Sequence, residues 1–328
     1  MAVNFGSGYL NNSECPPVIK APTTRELIDD LGGYVIALWT IASLIVLLLC
    51  GLLVKTTIIV NKDAPRQWRR KIVWINAIYP FVSLMCLCSL IVPASSSLLA
   101  AVAIIFMSNG VSKFVDLCMM YFGGETKLLE AVEEMTVPLT KPPACCCGLC
   151  CPRPILTKRY LKAMKMMVHQ LPFTQSAYCL MSLYLFAAQL TQPGQIAYND
   201  AFIYLTAVNV LSFMLAMYSL AMLLEITKGK LAQFRYTPKS FLIKVTLVLV
   251  KVQDIVFNLL VHYGGIPETP SMTPATYGAF IRDIMVLLEM LLFGLLTHKL
   301  YNVPDQYEGT MDAEDNVIGK TMMGDEND

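Results

Sequence analysis

Tyr34–Val60 reads YVIALWTIASLIVLLLCGLLVKTTIIV, 27 positions whose single charge, Lys55, lies near the end. As a helix it would extend ~40 Å, more than the ~30 Å hydrocarbon core of a bilayer. A run this long and this uniformly apolar exceeds the core helices of a compact soluble domain. The polar segment before it has no basic run after Met1, so the expectation is a membrane span rather than a cleavable signal peptide.

Working outward, six more stretches have the length of a crossing helix: Ile72–Val92, Leu98–Phe122, Leu171–Leu190, Ala201–Ile226, Phe241–Tyr263 and Tyr277–Leu300. Only 15% of the 328 residues are charged, against about a quarter in a soluble domain, and these charges are bunched between the apolar runs. The expected fold class is therefore an all-α membrane protein of seven transmembrane helices. A net charge of +1 gives no electrostatic reason to expect a nucleic-acid partner.

Lysine and arginine set the orientation. Asn61–Lys71 (NKDAPRQWRRK) carries five of them, and Gly123–Gln170 and Thr227–Ser240 are also basic. The alternate connections Pro93–Ser97, Thr191–Asp200 and Gly265–Thr276 contain none. The positive-inside bias puts the N-terminus outside and the C-terminus in the cytosol. Three regions follow: an extracellular segment 1–32, a transmembrane domain 33–300 whose second cytosolic loop is 123–170, and an acidic tail 301–328 expected to be disordered. Asn11-Asn12-Ser13 is an N-glycosylation sequon in the outside segment, with Asn11 the acceptor.

That second loop holds PPACCCGLCCPRP (142–154), five of the chain's 11 cysteines within seven positions. Cytosolic thiols stay reduced, which argues against a disulfide knot. Cys147-x-x-Cys150 is half of a zinc spacing, with His169 the nearest further ligand across a lysine-rich segment. Membrane-proximal cysteines are the usual sites of reversible S-acylation. Cys145, Cys146, Cys147, Cys150 and Cys151 are accordingly expected to carry acyl chains, with no metal. Downstream, Ile155–Gln170 interleaves Leu161, Met164 and Met167 with Lys158, Arg159, Lys162 and Lys165. This suits a basic amphipathic helix lying on the anionic inner leaflet.

Phe122-Gly123-Gly124 after the third span, followed by a cysteine cluster ending Cys151-Pro152-Arg153, resembles the alpha subunit of the organic solute transporter family. The likeness runs from about Lys71 to Tyr301 and takes in Pro80, Pro93, Lys239, Lys244, Gln253 and Glu289. It implies a seven-span protein for facilitated movement of bile acids, steroid conjugates and related amphipathic organic anions. It also implies a single-span beta-type partner subunit. The family usually places an acidic residue where Met120 stands here; Asp116, one helical turn earlier, lies on the same face.

Ionisable groups inside spans are costly and mark pathways or helix pairs. The candidates are Lys113 and Asp116 in the third span, Lys244, Lys251, Gln253 and Asp254 in the sixth, and Glu289 in the seventh. Lys113/Asp116 and Lys251/Asp254 have the i,i+3 spacing of self-neutralising pairs. Arg282 lies near a span end, where it would snorkel to the headgroups. An amphipathic anion needs an apolar groove and a cation. Lys244 and Lys251, two turns apart among valines and leucines, offer both, with Glu289 as an ion partner.

No phosphate-binding GxxxxGK[ST] loop occurs, so passive exchange without a cofactor is the simplest mechanism. The three histidines are scattered, and no nucleophile–base motif suggests an enzyme. A seven-span receptor is disfavoured because the seventh span lacks an Asn-Pro kink. The alternative is a trafficking or membrane-organising protein without transport activity, since acylation, a basic loop and an acidic tail would serve sorting equally well. Expected partners are membrane lipids, amphipathic anions and the beta-type subunit, in a hetero- or homo-oligomer. The plasma membrane is the first expected location, endosomal membranes the second.

Overall fold

The computed structural model describes residues 23–121, 124, 126–128, 157–188, 201–227, 236–267 and 272–301. Asn11, the cysteine cluster and the acidic tail lie outside the described residues. Regular structure among those described is entirely helical. The helices are α1 (Thr24–Leu31), α2 (Gly33–Asp63), α3 (Arg66–Asn76), α4 (Ile78–Ile91), α5 (Ser96–Tyr121), α6 (Lys158–Ala187), α7 (Ala201–Thr227), α8 (Tyr236–His262) and α9 (Pro274–Tyr301). Apart from terminal residues, each expected span lies on one of them except Ile72–Val92, which is divided between α3 and α4.

Four stretches are long and apolar enough to cross a membrane: Gly33–Asp63, Arg66–Ile91, Pro93–Tyr121 and Ala201–Thr227. Helices α6, α8 and α9 have 30, 27 and 28 residues and interleave more ionisable groups with their apolar ones. Broad apolar faces point outward, as on α2 (Leu44, Leu47) and α7 (Tyr204, Val208, Leu211). In water such patches would aggregate; against lipid tails they are the expected surface.

Proline shapes two helices. Pro80 has no N–H to give the Asn76 carbonyl, and the second apolar stretch breaks at Ala77 into α3 and α4. Pro172 lies within α6 without ending it, and the Ser176 hydroxyl donates to the Pro172 carbonyl at 2.7 Å. This corrects the expectation of a separate helix on the inner leaflet. Lys158–Gln170 is the first half of a continuous 30-residue helix, and its apolar side, Leu161, Met164 and Val168, is buried in the protein core.

The core is one cluster joining α2 through α9. Close approach of α9 to α2 depends on Gly294, where a Cβ would lie 2.4 Å from Leu49 Cδ2. Across the bundle, α8 packs closely on α9 and only lightly on α5 and α7. Outside the bundle, α1 begins with a Thr23–Glu26 capping box. It buries Leu27 against Val35 and Met272, and Thr24 donates to the Ile91 carbonyl at 2.9 Å.

Candidate functional site

Asn258, Asp254, Lys251 and Lys244 recur on α8 at intervals of four, three and seven residues, so they form one stripe along a single helix face. The stripe covers ~21 Å of helix. Between its polar members the face carries Leu247 and Val248, which gives the mixture that an amphipathic ligand needs.

At one end of the stripe Arg282, from α9, holds two carboxylates. Its Nη1 donates to Asp254 Oδ1 at 3.1 Å and its Nη2 to Asp283 Oδ1 at 2.8 Å. Asp283 also accepts from the Ser89 hydroxyl of α4, so three helices meet there. The Arg282 side chain is only 15% exposed, so it does not snorkel to the headgroups as expected: two carboxylates within reach neutralise it in place. Beside this cluster opens a small cleft, lined by Asp254, Asn258 and Arg282 and by Ser96 and Ser97 at the start of α5. Gly278 lets the start of α9 approach the end of α8 and the segment after it, since a Cβ there would lie 3.2 Å from Val261 of α8 and 2.8 Å from Ile266.

Farther along the stripe, Lys251 Nζ donates to Gln175 Oε1 of α6 at 2.9 Å. Gln175, itself fully buried, donates through Nε2 to Asn209 Oδ1 of α7 at 2.7 Å. A lysine cation is thus presented at the lightly packed side of α8 by an amide relay from two other helices. On the adjacent face, Gln253 Nε2 donates to Glu289 Oε1 of α9. The buried Gln253 Oε1 and Glu289 Oε2 have no hydrogen-bond partner among the described residues.

The expected local pairs are corrected by this geometry. Asp254 is taken by Arg282, and Lys251 bonds Gln175. Glu289 bonds Gln253, not a lysine, because it projects from α9 toward a different face of α8. In α5, Asp116 accepts from His169 Nε2 of α6 at 3.0 Å and lies 3.7 Å from Lys71 Nζ of α3, while Lys113 is exposed. His169 Nδ1 also faces the Lys165 carbonyl at 2.9 Å, so both ring nitrogens already meet acceptors. Lys244 is half-buried on the stripe. Gln175, Asn209 and Ser89 were not anticipated. Gln175 and Asn209 are uncharged, and the only signal for them was an amide within an apolar run.

Three relatives align over most of their length. An organic solute transporter subunit alpha from Danio rerio is 22% identical over 304 residues, 93% of each chain. The human protein of the same name is 24% identical over 292 residues, 88% of this chain and 86% of its own. An organic solute transporter alpha-like protein from Drosophila melanogaster is 25% identical over 290 residues, 88% of this chain and 86% of its own. No solved structure matches. The family model described as Organic solute transporter Ostalpha matches residues 36–307, so this integral membrane chain belongs to that family of solute transporters.

Proposed function

We propose that the chain is the alpha-type subunit of a passive transporter for amphipathic organic anions, steroid conjugates and bile acids among them. The observation that carries this reading is the α8 stripe. It runs from the cleft at Asp254 and Arg282 past Lys251 to Lys244, along a helix that packs closely on α9 and only lightly on α5 and α7. In this reading the apolar body of the ligand lies against the valines and leucines of α8, and its sulfate or carboxylate meets the lysines in turn. Lys251 exchanges the Gln175 amide for the anion as it passes. A charged hydrogen bond of this kind contributes ~1.5–3 kcal/mol, enough to select the anion without trapping it.

Seven helices cross the bilayer in this reading. The N-terminus and the cleft face outside, following the lysine and arginine asymmetry. The cysteines of 145–151 are acylated at the cytosolic surface, and Asn11 is glycosylated. A single-span partner completes the transporter in the plasma membrane.

The test is flux in a defined bilayer. The purified chain, with and without a beta-type subunit, is reconstituted in liposomes and assayed with a steroid sulfate and a taurine-conjugated bile acid. Saturable, gradient-driven uptake is expected. A correctly inserted pair that moves neither compound would contradict the reading and favour the membrane-organising alternative.

A further inference from the structure

We propose that the cytosolic end of α3 is a binding site for an anionic phospholipid. Arg66, Arg69, Arg70, Val73, Trp74 and Ala77 recur at helical spacing, so they lie along one face of α3 and its junction with α4. That face is cationic in its first turn and apolar beyond. It lines an open groove between the end of α2, α3 and Phe106 of α5.

Helix α3 divides its cations sharply. Lys71 turns inward to Asp116. Arg69 Nε donates to the Ala64 carbonyl at 2.7 Å, which anchors its side chain beside the groove. Among the described residues no carboxylate pairs with Arg66, Arg69 or Arg70. Three guanidiniums at one groove mouth are a geometry suited to phosphate oxygens, which they can hold bidentately. The apolar continuation is a ladder of rings. Trp74 stacks on Phe106 with centroids 5.1 Å apart, and Phe106 on Phe81 at 4.0 Å. Trp74 remains 38% exposed.

The order of chemistry along the groove is that of a lipid: anion first, then an amphipathic indole at interface depth, then apolar surface running into the bilayer. These features select a phospholipid with a net negative headgroup over a zwitterionic one, because phosphatidylcholine brings its own cation to the mouth. The site lies on the opposite end of the bundle from the Arg282 cleft, so it is a structural or regulatory lipid site and does not depend on the transport route.

Trp74 is its own reporter. The full chain is placed in nanodiscs of phosphatidylcholine containing brominated-chain phosphatidylserine or, at equal mole fraction, brominated-chain phosphatidylcholine. Subtracting the signal of Trp74→Phe isolates the Trp74 contribution from Trp39 and Trp68. Bromines on phosphatidylserine are expected to quench Trp74 at least twofold more, from a local enrichment of roughly tenfold for adjacent basic groups. Arg66→Gln/Arg70→Gln should abolish the excess, and Arg66→Lys/Arg70→Lys, which keeps the charge, should retain most of it. Equal quenching by the two lipids would overturn the proposal. So would an excess that survives the glutamine pair in a monodisperse protein, or one that a micromolar steroid sulfate displaces.

Discussion

Arg282 of α9 and Asp254 of α8 lie 3.1 Å apart across a helix interface, and the same guanidinium holds Asp283 at 2.8 Å. One cation therefore serves two carboxylates, Asp283 buried and Asp254 partly so. Removing a single member of such a cluster leaves uncompensated charge, at a cost of ~3–5 kcal/mol. Arg282→Met should lower the melting temperature of the detergent-solubilised protein sharply. Arg282→Met/Asp254→Asn/Asp283→Asn, which deletes all three charges, should recover much of the loss. A single variant as stable as the parent would show that the cluster contributes nothing.

The amide relay behind Lys251 gives a second expectation. Gln175→Leu removes the acceptor of Lys251 and the donor to Asn209 together. If Gln175 acts through Lys251, the effects of Gln175→Leu and Lys251→Met on flux should be non-additive, the pair being little worse than Lys251→Met alone. Effects that multiply would separate the two residues.

Gln253 and Glu289 each bury an oxygen without a partner among the described residues. Glu289→Gln supplies a second amide, so the two side chains can donate to one another. A gain of about 1 kcal/mol in stability is expected, read as a higher melting temperature. A lower one would show that the carboxylate itself is needed for packing.

Gly294 tests the bundle rather than the route. Gly294→Ala would set a methyl 2.4 Å from Leu49, and overpacking of this kind costs ~1–3 kcal/mol. Leu49→Ala should restore most of the loss when combined with it. No loss in the single variant would mean that α2 and α9 are free to separate.

How much of this could be read from the sequence depends on range. Apolar length located the long helices, because a span's hydropathy is a property of contiguous residues, but not the short polar α1. Ile72–Val92 reads as one span although it breaks at Ala77, three residues before Pro80, and the same reasoning misjudged Lys158–Gln170. A basic amphipathic pattern looks alike whether its apolar face meets lipid or, as here, protein, and Pro172 lies within α6 without ending it. The charged residues were found and their partners were not. Spacing along one helix offers Lys113 for Asp116 and Lys251 for Asp254. Tertiary packing supplies Lys71 and His169 to the first and Arg282 to the second. Gln175 and Asn209 gave almost no signal, since uncharged amides perturb hydropathy little.

The most direct test of the α8 route is the initial rate of steroid-sulfate uptake by Lys251→Met, reconstituted with its partner subunit and compared with the parent at matched protein per liposome. Loss of one charged hydrogen bond to the moving anion should lower the rate roughly tenfold or more. An uptake rate equal to the parent's would contradict the route.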